Sequence, residues 1–187
     1  LRVIAGKARR TALVAPDGQN TRPTSDRAKE GLFNILAPEI RAARFLDMFC
    51  GSGAIGIEAL SRGAAESVFV DNSFLAIHAV RKNLSKTKLS DSKAEIFETT
   101  AEDAIARLAA QNRRFDIIFL DPPYDSYNSE SLRQIIDKLR KILAEDGVII
   151  AETEAADLPE ATQTRTYGRT KFLFINATRA QQFPIPK

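Results

Sequence analysis

Phe45-Leu46-Asp47-Met48-Phe49-Cys50-Gly51-Ser52-Gly53-Ala54-Ile55-Gly56-Ile57-Glu58-Ala59-Leu60 is the stretch from which the fold can be read. Residues 44–49 form a short apolar strand interrupted by Asp47. Gly51 and Gly53 make a tight turn, and residues 54–61 have helical spacing. A strand, a glycine turn and a helix in that order bring backbone N–H groups and a helix N-terminus to one point. Such a point suits a polar or anionic ligand, so this is a candidate cofactor site.

The identity of the cofactor turns on two carboxylates. Gly51 to Gly56 matches G-x-G-x-x-G, and Asp71 lies twenty residues beyond Gly51, which together are the dinucleotide fingerprint. Asp47 argues against a dinucleotide, because a carboxylate just ahead of the turn would repel a pyrophosphate. It suits a positively charged ligand, such as the amino group and sulfonium of S-adenosylmethionine. A glycine turn that only packs helix on strand is the plainer alternative. Asp47-Met48-Phe49-Cys50-Gly51-Ser52-Gly53 resembles the D-x-F-x-G-x-G first motif of class I methyltransferases that act on amino groups. A side chain on Gly53 is expected to occupy space that the ligand needs.

Working outward, strands and helices alternate. Residues 67–70 read as a second strand ending at Asp71, followed by a helix with Phe74, Ile77, Val80 and Leu84 on one face. Residues 94–98 are a third strand and 101–110 a helix. Residues 115–120 form a continuous apolar run, as in a strand buried on both faces. Residues 130–143 are helical, 148–151 are a fifth strand, and 164–167 with 171–176 look like a closing antiparallel pair about Gly168. Five alternations call for a parallel, doubly wound α/β sheet. Ahead of this frame, residues 2–5 and 11–15 read as a hairpin with Lys7, Arg9 and Arg10 at its tip. A polar loop, residues 20–26, then runs into a helix capped near Thr24 or Ser25.

The composition sets limits. A chain of 187 residues fits one domain with at most a small extension. One cysteine excludes an internal disulfide and every multi-cysteine zinc site, and the chemistry needs no metal. No signal peptide or membrane-length apolar run is present, so a cytoplasmic protein without membrane contact is expected. The net charge of +3 is uneven: residues 1–29 carry seven cations against two carboxylates, a net of +5. A basic arm on a near-neutral domain suggests phosphate contacts, although a solvated surface would read the same.

Asp121-Pro122-Pro123-Tyr124 directly follows the most apolar strand and so falls at the carboxyl edge of the sheet, where open α/β sheets bind ligands. An exocyclic base amine is a poor nucleophile, because its lone pair is delocalised into the ring. Two acceptors on its hydrogens would localise that pair. Asp121 offers a carboxylate and Pro122 a carbonyl with no competing N–H. The Pro122-Pro123 pair stiffens the loop, and Tyr124 offers a ring on which a displaced base can stack, worth roughly 1–3 kcal/mol. A strand terminated by two prolines, with a rim tyrosine, is the alternative.

Residues 2–6 (Arg2-Val3-Ile4-Ala5-Gly6), Thr21-Arg22-Pro23-Thr24, Lys29-Glu30 with Leu32-Phe33-Asn34-Ile35-Leu36, the Asp47 to Gly53 turn and Asp121-Pro122-Pro123-Tyr124 occur in one order. Together they resemble the RsmD family, bacterial methyltransferases acting on guanine N2 in small-subunit (16S) ribosomal RNA. The resemblance implies a class I S-adenosylmethionine-dependent methyltransferase fold, Rossmann-like, with a seven-stranded, mostly parallel sheet. Residues 1–24 would form an RNA-binding hairpin extension and 25–187 the methyltransferase domain. Asp47, Phe49, Gly51, Ser52, Gly53, Asp71 and Asn72 would hold S-adenosylmethionine, with Thr100 and Ala101 where relatives contact the adenine. Asp121, Pro122, Pro123 and Tyr124 would hold and activate the base. Lys7, Arg9, Arg10, Arg22 and Thr24 would contact 16S ribosomal RNA, free or within the assembling small subunit, and a monomer is expected. Adenine-N6 methylation of DNA, methylation of a protein glutamine amide, and a methyltransferase-like binder without catalysis share parts of the pattern. His78, the only histidine, reads as a surface or packing residue, and Cys50 as a small apolar one.

Overall fold

The computed structural model describes residues 1–16, 24–89, 93–123, 129–153 and 158–177. Its framework is a seven-stranded sheet: β1 (Arg44–Met48), β2 (Glu66–Asp71), β3 (Lys93–Glu98), β4 (Phe115–Leu120), β5 (Leu143–Thr153), β6 (Gln163–Tyr167) and β7 (Thr170–Asn176). The order is β3-β2-β1-β4-β5-β7-β6. Strands β1 to β5 pair in parallel, while β7 pairs antiparallel with both β5 and β6. The order reverses at β1, so the loops leaving β1 and β4 diverge and open the crevice expected at such a switch point.

Among the described residues five helices cover the sheet: α1 (Asp26–Leu36), α2 (Ala54–Ser61), α3 (Phe74–Thr87), α4 (Ala101–Ala110) and α5 (Ser129–Leu139). Alternation along the buried strands divides the core. Phe45, Ile117, Phe119, Val148 and Ile150 pack with α1 and α2. Leu46, Met48, Ile118, Leu120, Ile149 and Ala151 face α4 and α5. The helix expected over residues 130–143 stops earlier: α5 gives way to a 3-10 turn, Arg140–Ile142, and Leu143 opens β5 opposite Phe115. Leu143 keeps its apolar burial while leaving the helix, so periodicity alone could not mark the end.

The N-terminal arm is a minimal hairpin. Its two limbs meet at one antiparallel bridge, Arg2 with Ala12, reinforced where Val3 N–H donates to the Thr11 carbonyl and Leu13 N–H to that of Leu1. Val3, Ala8 and Leu13 are buried in a third cluster with Ile57, Leu60, Phe69, Ile77 and Val80. Polar contacts fix the arm along α2. Glu58 accepts from the N–H groups of Ile4 (2.7 Å) and Ala5 (2.9 Å), and Ser61 Oγ from that of Ala8 (2.9 Å). Glu58 also meets Lys29 Nζ at 3.5 Å and Arg62 Nε at 2.8 Å. Lys29 is fully buried, and burial pulls its pKa down against the opposing pull of Glu58. One cation counted in the basic arm therefore belongs to the interior. Among the described residues no helix is long and apolar enough to cross a membrane.

Candidate active site

Register brings four carboxyl groups to one edge and one face. Side chains two apart along a strand share a face. Phe45 and Phe119 point toward α1 and α2, so Asp47 and Asp121, two residues further on, follow them. Leu120 pairs with Ala151, which sets Asp121 beside Glu152, and Ile150 shares the face of Glu152. Asp71 closes β2 two residues beyond Phe69, which packs against the same helical layer. Asp71, Asp47, Asp121 and Glu152 thus cross four neighbouring strands at their carboxyl ends.

The glycine turn is built around two of these acids. Asp71 accepts the Gly51 N–H on Oδ2 and the Ser73 N–H on Oδ1, each at 2.9 Å. Asp47 Oδ2 accepts the Gly56 N–H at 2.8 Å from the first turn of α2. Phe49, Gly51 and Gly53 have φ of 57°, 51° and 72°, so the chain reverses through left-handed conformations. The glycines divide the labour in a way the motif does not reveal. A Cβ on Gly51 would meet nothing within 4 Å, leaving that side open to a ligand. A Cβ on Gly53 would lie 3.1 Å from Val80 and 3.3 Å from Phe69, so Gly53 first serves helix–sheet packing. Gly56 is tighter still, at 2.4 Å from the Phe69 ring.

The electrostatics of this edge are one-sided. Burial is the main cause lifting Asp47 to about 8; Asp71 adds to it, and the Gly56 N–H opposes it. Asp121 is raised well above the usual carboxylate range by burial, then by Glu152 and by Asp47. The Cys50 thiol is pushed up by burial and by Asp47 and Asp71, which fits an inert packing residue. An edge that raises its own carboxyl pKa values favours a ligand that brings positive charge and amine donors.

Other expected site residues fall as follows. Phe49 and Ser52 are half-buried, and the Ser52 carbonyl accepts from Asn83 Nδ2 at 2.9 Å. Asn72 is exposed next to Asp71. Thr99 N–H donates to the Asp71 carbonyl, which brings Thr100 and Ala101 to the same edge. Thr100 Oγ1 caps α4 at Asp103 N–H, and Ala101 is buried. Pro122 is buried and Pro123 exposed. Tyr124 and Arg22 lie outside the described residues. Lys7, Arg9 and Arg10 are exposed on a turn held at the end of α2, where Lys7 N–H donates to the Ser61 carbonyl. The length of α2, roughly 12 Å, separates that turn from Gly53. Thr24 does not stand free toward solvent: its hydroxyl donates to Glu152 Oε2 at 2.7 Å.

Sequence reading missed Glu152 and Asn83. Glu152 lies one residue past the predicted end of its strand. Asn83 is fully buried and joins the arm to the glycine turn, accepting from Val14 N–H and donating to the carbonyls of Val14 and Ser52. An asparagine three residues after Val80 on an apolar helix face was the available signal.

Known proteins carry the same frame. The model of a family described as "Conserved hypothetical protein 95" matches residues 1–176. The ribosomal RNA small subunit methyltransferase D of Escherichia coli K12 is 35% identical over 172 residues, covering 91% of this chain and 84% of its own. The chain belongs to the RsmD family of methyltransferases. The Bacillus subtilis protein YlbH is 41% identical to this RsmD-family chain over 177 residues, 91% of this chain and 95% of its own. Among solved structures, the hypothetical protein TTHA0928 of Thermus thermophilus superposes with a TM-score of 0.81 at 30% identity, covering 94% and 98% of the two chains. The expected seven-stranded methyltransferase sheet and the family resemblance are both borne out.

Proposed function

We propose that this protein transfers a methyl group from S-adenosylmethionine to the exocyclic N2 amine of a guanine in small-subunit ribosomal RNA. The observation that carries the reading is the position of Asp121-Pro122. Asp121 leaves β4 beside β1, on the face of Asp47 and the glycine turn, with Pro122 next to it, which supports an amine clamp beside a cofactor cradle. The name of the Escherichia coli relative supports ribosomal RNA as the substrate class.

The residues fit the cofactor. Gly51 leaves its side of the turn open, and the acidic edge matches a cationic ligand while disfavouring a pyrophosphate. When bound, S-adenosylmethionine supplies an electrophilic methyl group on a sulfonium. Asp71 holds the ribose hydroxyls, flanked by Asn72, while Thr100 and Ala101 border the adenine. Asp121 and the Pro122 carbonyl accept the two amine hydrogens and aim the nitrogen lone pair. Asp121 then takes the proton released once nitrogen carries the new methyl. The guanine must leave its stack to reach this edge, and Tyr124 receives the displaced ring. Lys7, Arg9 and Arg10 contact RNA phosphates away from the reacting base, and Arg22, also within the extension of residues 1–24, adds a further phosphate contact.

Nucleoside mass spectrometry tests the reading. Small-subunit RNA from cells lacking the protein should lack one N2-methylguanosine, and purified protein with S-adenosylmethionine should restore it. Unchanged N2-methylguanosine in those cells, with no transfer in vitro, would refute the assignment.

A further inference from the structure

We infer that Glu152 is a second base-reading acid of this site, accepting the N1–H of guanine while Asp121 holds the N2 amine. The inference rests on the guanine-N2 reading above and adds to it a residue that selects the base.

The placement comes from the sheet. Asp121 and Glu152 leave adjacent parallel strands at matched positions and on the same face. Adjacent strands lie about 4.8 Å apart, so two carboxyl groups there can address neighbouring atoms of one ring. Glu152 is only 5% exposed, and its Oε2 is oriented by the Thr24 hydroxyl from the residue before the cap of α1. A buried acid held in this way, beside an amine clamp, needs a chemical reason.

The edge of guanine supplies one. Guanine presents N1–H and N2–H₂ side by side, a row of donors that only acceptors can satisfy. Adenine presents its N6 amine beside N1, a lone pair that a carboxylate repels. Asp121 alone would clamp either amine. Asp121 with Glu152 accepts guanine and rejects a base whose ring nitrogen lacks hydrogen. Discrimination of this kind is large, because the wrong base sets a ring lone pair against a carboxylate oxygen. Among the described residues, Glu152 from β5 and Asp47 from β1 face Asp121, and the Thr24 hydroxyl is one group that faces Glu152. A purely structural alternative is that Glu152 only ties down Thr24.

2-Aminopurine separates the two accounts, because it keeps the N2 amine but carries a bare lone pair at N1. Small-subunit RNA with guanine or 2-aminopurine at the methylated position is offered to the wild-type protein and to Glu152→Gln. Affinity is read by competition without cofactor, and transfer in single turnover. The glutamine oxygen can keep the Thr24 hydrogen bond, turning its amide N–H₂ toward the base. Wild type should prefer guanine about a hundredfold, and Glu152→Gln should narrow that preference to about tenfold or less. The ratio is taken within each protein, so partial unfolding does not affect it. An equal guanine preference in both proteins would overturn the inference while leaving guanine-N2 methylation intact. Failure of wild type to methylate any guanine would instead overturn the functional reading.

Discussion

Glu58 and Asp47 lie on the same short stretch, and both are buried carboxylates, yet their surroundings are opposite. Glu58 accepts two backbone N–H groups and meets the cations of Lys29 and Arg62. Asp47 accepts one N–H, from Gly56, and has Asp71 and Asp121 as charged neighbours. The first centre compensates its charge and so fastens the arm to α2. The second leaves its acids buried beside one another without a cation, so that Asp47 keeps its proton up to about pH 8, a state that stability alone would not select and that a cationic ligand relieves. The difference teaches that compensation, more than burial, separates a structural acid from a functional one.

Removing the compensated acid should have the largest effect. Glu58→Ala leaves the Lys29 ammonium buried without its carboxylate and orphans the N–H groups of Ile4 and Ala5. A loss of about 3–5 kcal/mol is expected in urea unfolding. A loss under about 1 kcal/mol would mean that apolar contacts alone hold the arm, and the contrast would collapse.

Removing an uncompensated acid should do the reverse. The Asp47 pKa of about 8 exceeds its unfolded value of about 3.9. Between those values the folded state holds a proton that the unfolded state has released, so stability falls as pH rises from about 4 to 8. Asp47→Asn removes that dependence and can still accept the Gly56 N–H. The ligand-free variant should gain several kcal/mol over wild type at pH 8 and almost nothing at pH 4. Melting curves across that range check the sign, and a variant less stable at pH 8 would contradict it.

The smallest effect on stability is expected at the arm's tip. Replacing exposed Lys7, Arg9 and Arg10 by Ala should change stability by less than about 0.5 kcal/mol. RNA affinity should fall, its logarithmic salt slope flattening by about one unit for each lost phosphate contact. Titration at several salt concentrations gives the slope, and an unchanged slope would make the turn structural only.

Much of the frame was legible because local signals agreed with tertiary ones. β4 (Phe115–Leu120) and α4 (Ala101–Ala110) have the expected bounds, one a continuous apolar run and the other capped by Thr100. The first motif revealed the turn and Asp47, and the spacing from Gly51 revealed Asp71. It could not distinguish Gly51, open on its outer side, from Gly53, which packs against Val80, since that depends on where α3 crosses. Lys29 counted as surface charge because a composition sum carries no direction, whereas the structure turns it toward Glu58. Glu152 stayed hidden for a related reason: pairing with β7 carries β5 on to Thr153, and only the register with β4 sets it beside Asp121.

The most direct measurement of the central claim is single-turnover methylation of small-subunit ribosomal RNA by Asp121→Asn, with S-adenosylmethionine affinity followed by calorimetry. Asparagine keeps the shape and an acceptor oxygen but loses the charge that steadies the amine as the N–C bond forms. The rate should fall by about a hundredfold, some 2.7 kcal/mol, while cofactor affinity moves by less than about threefold. A near-normal rate would contradict the amine clamp and remove Asp121 from the chemistry.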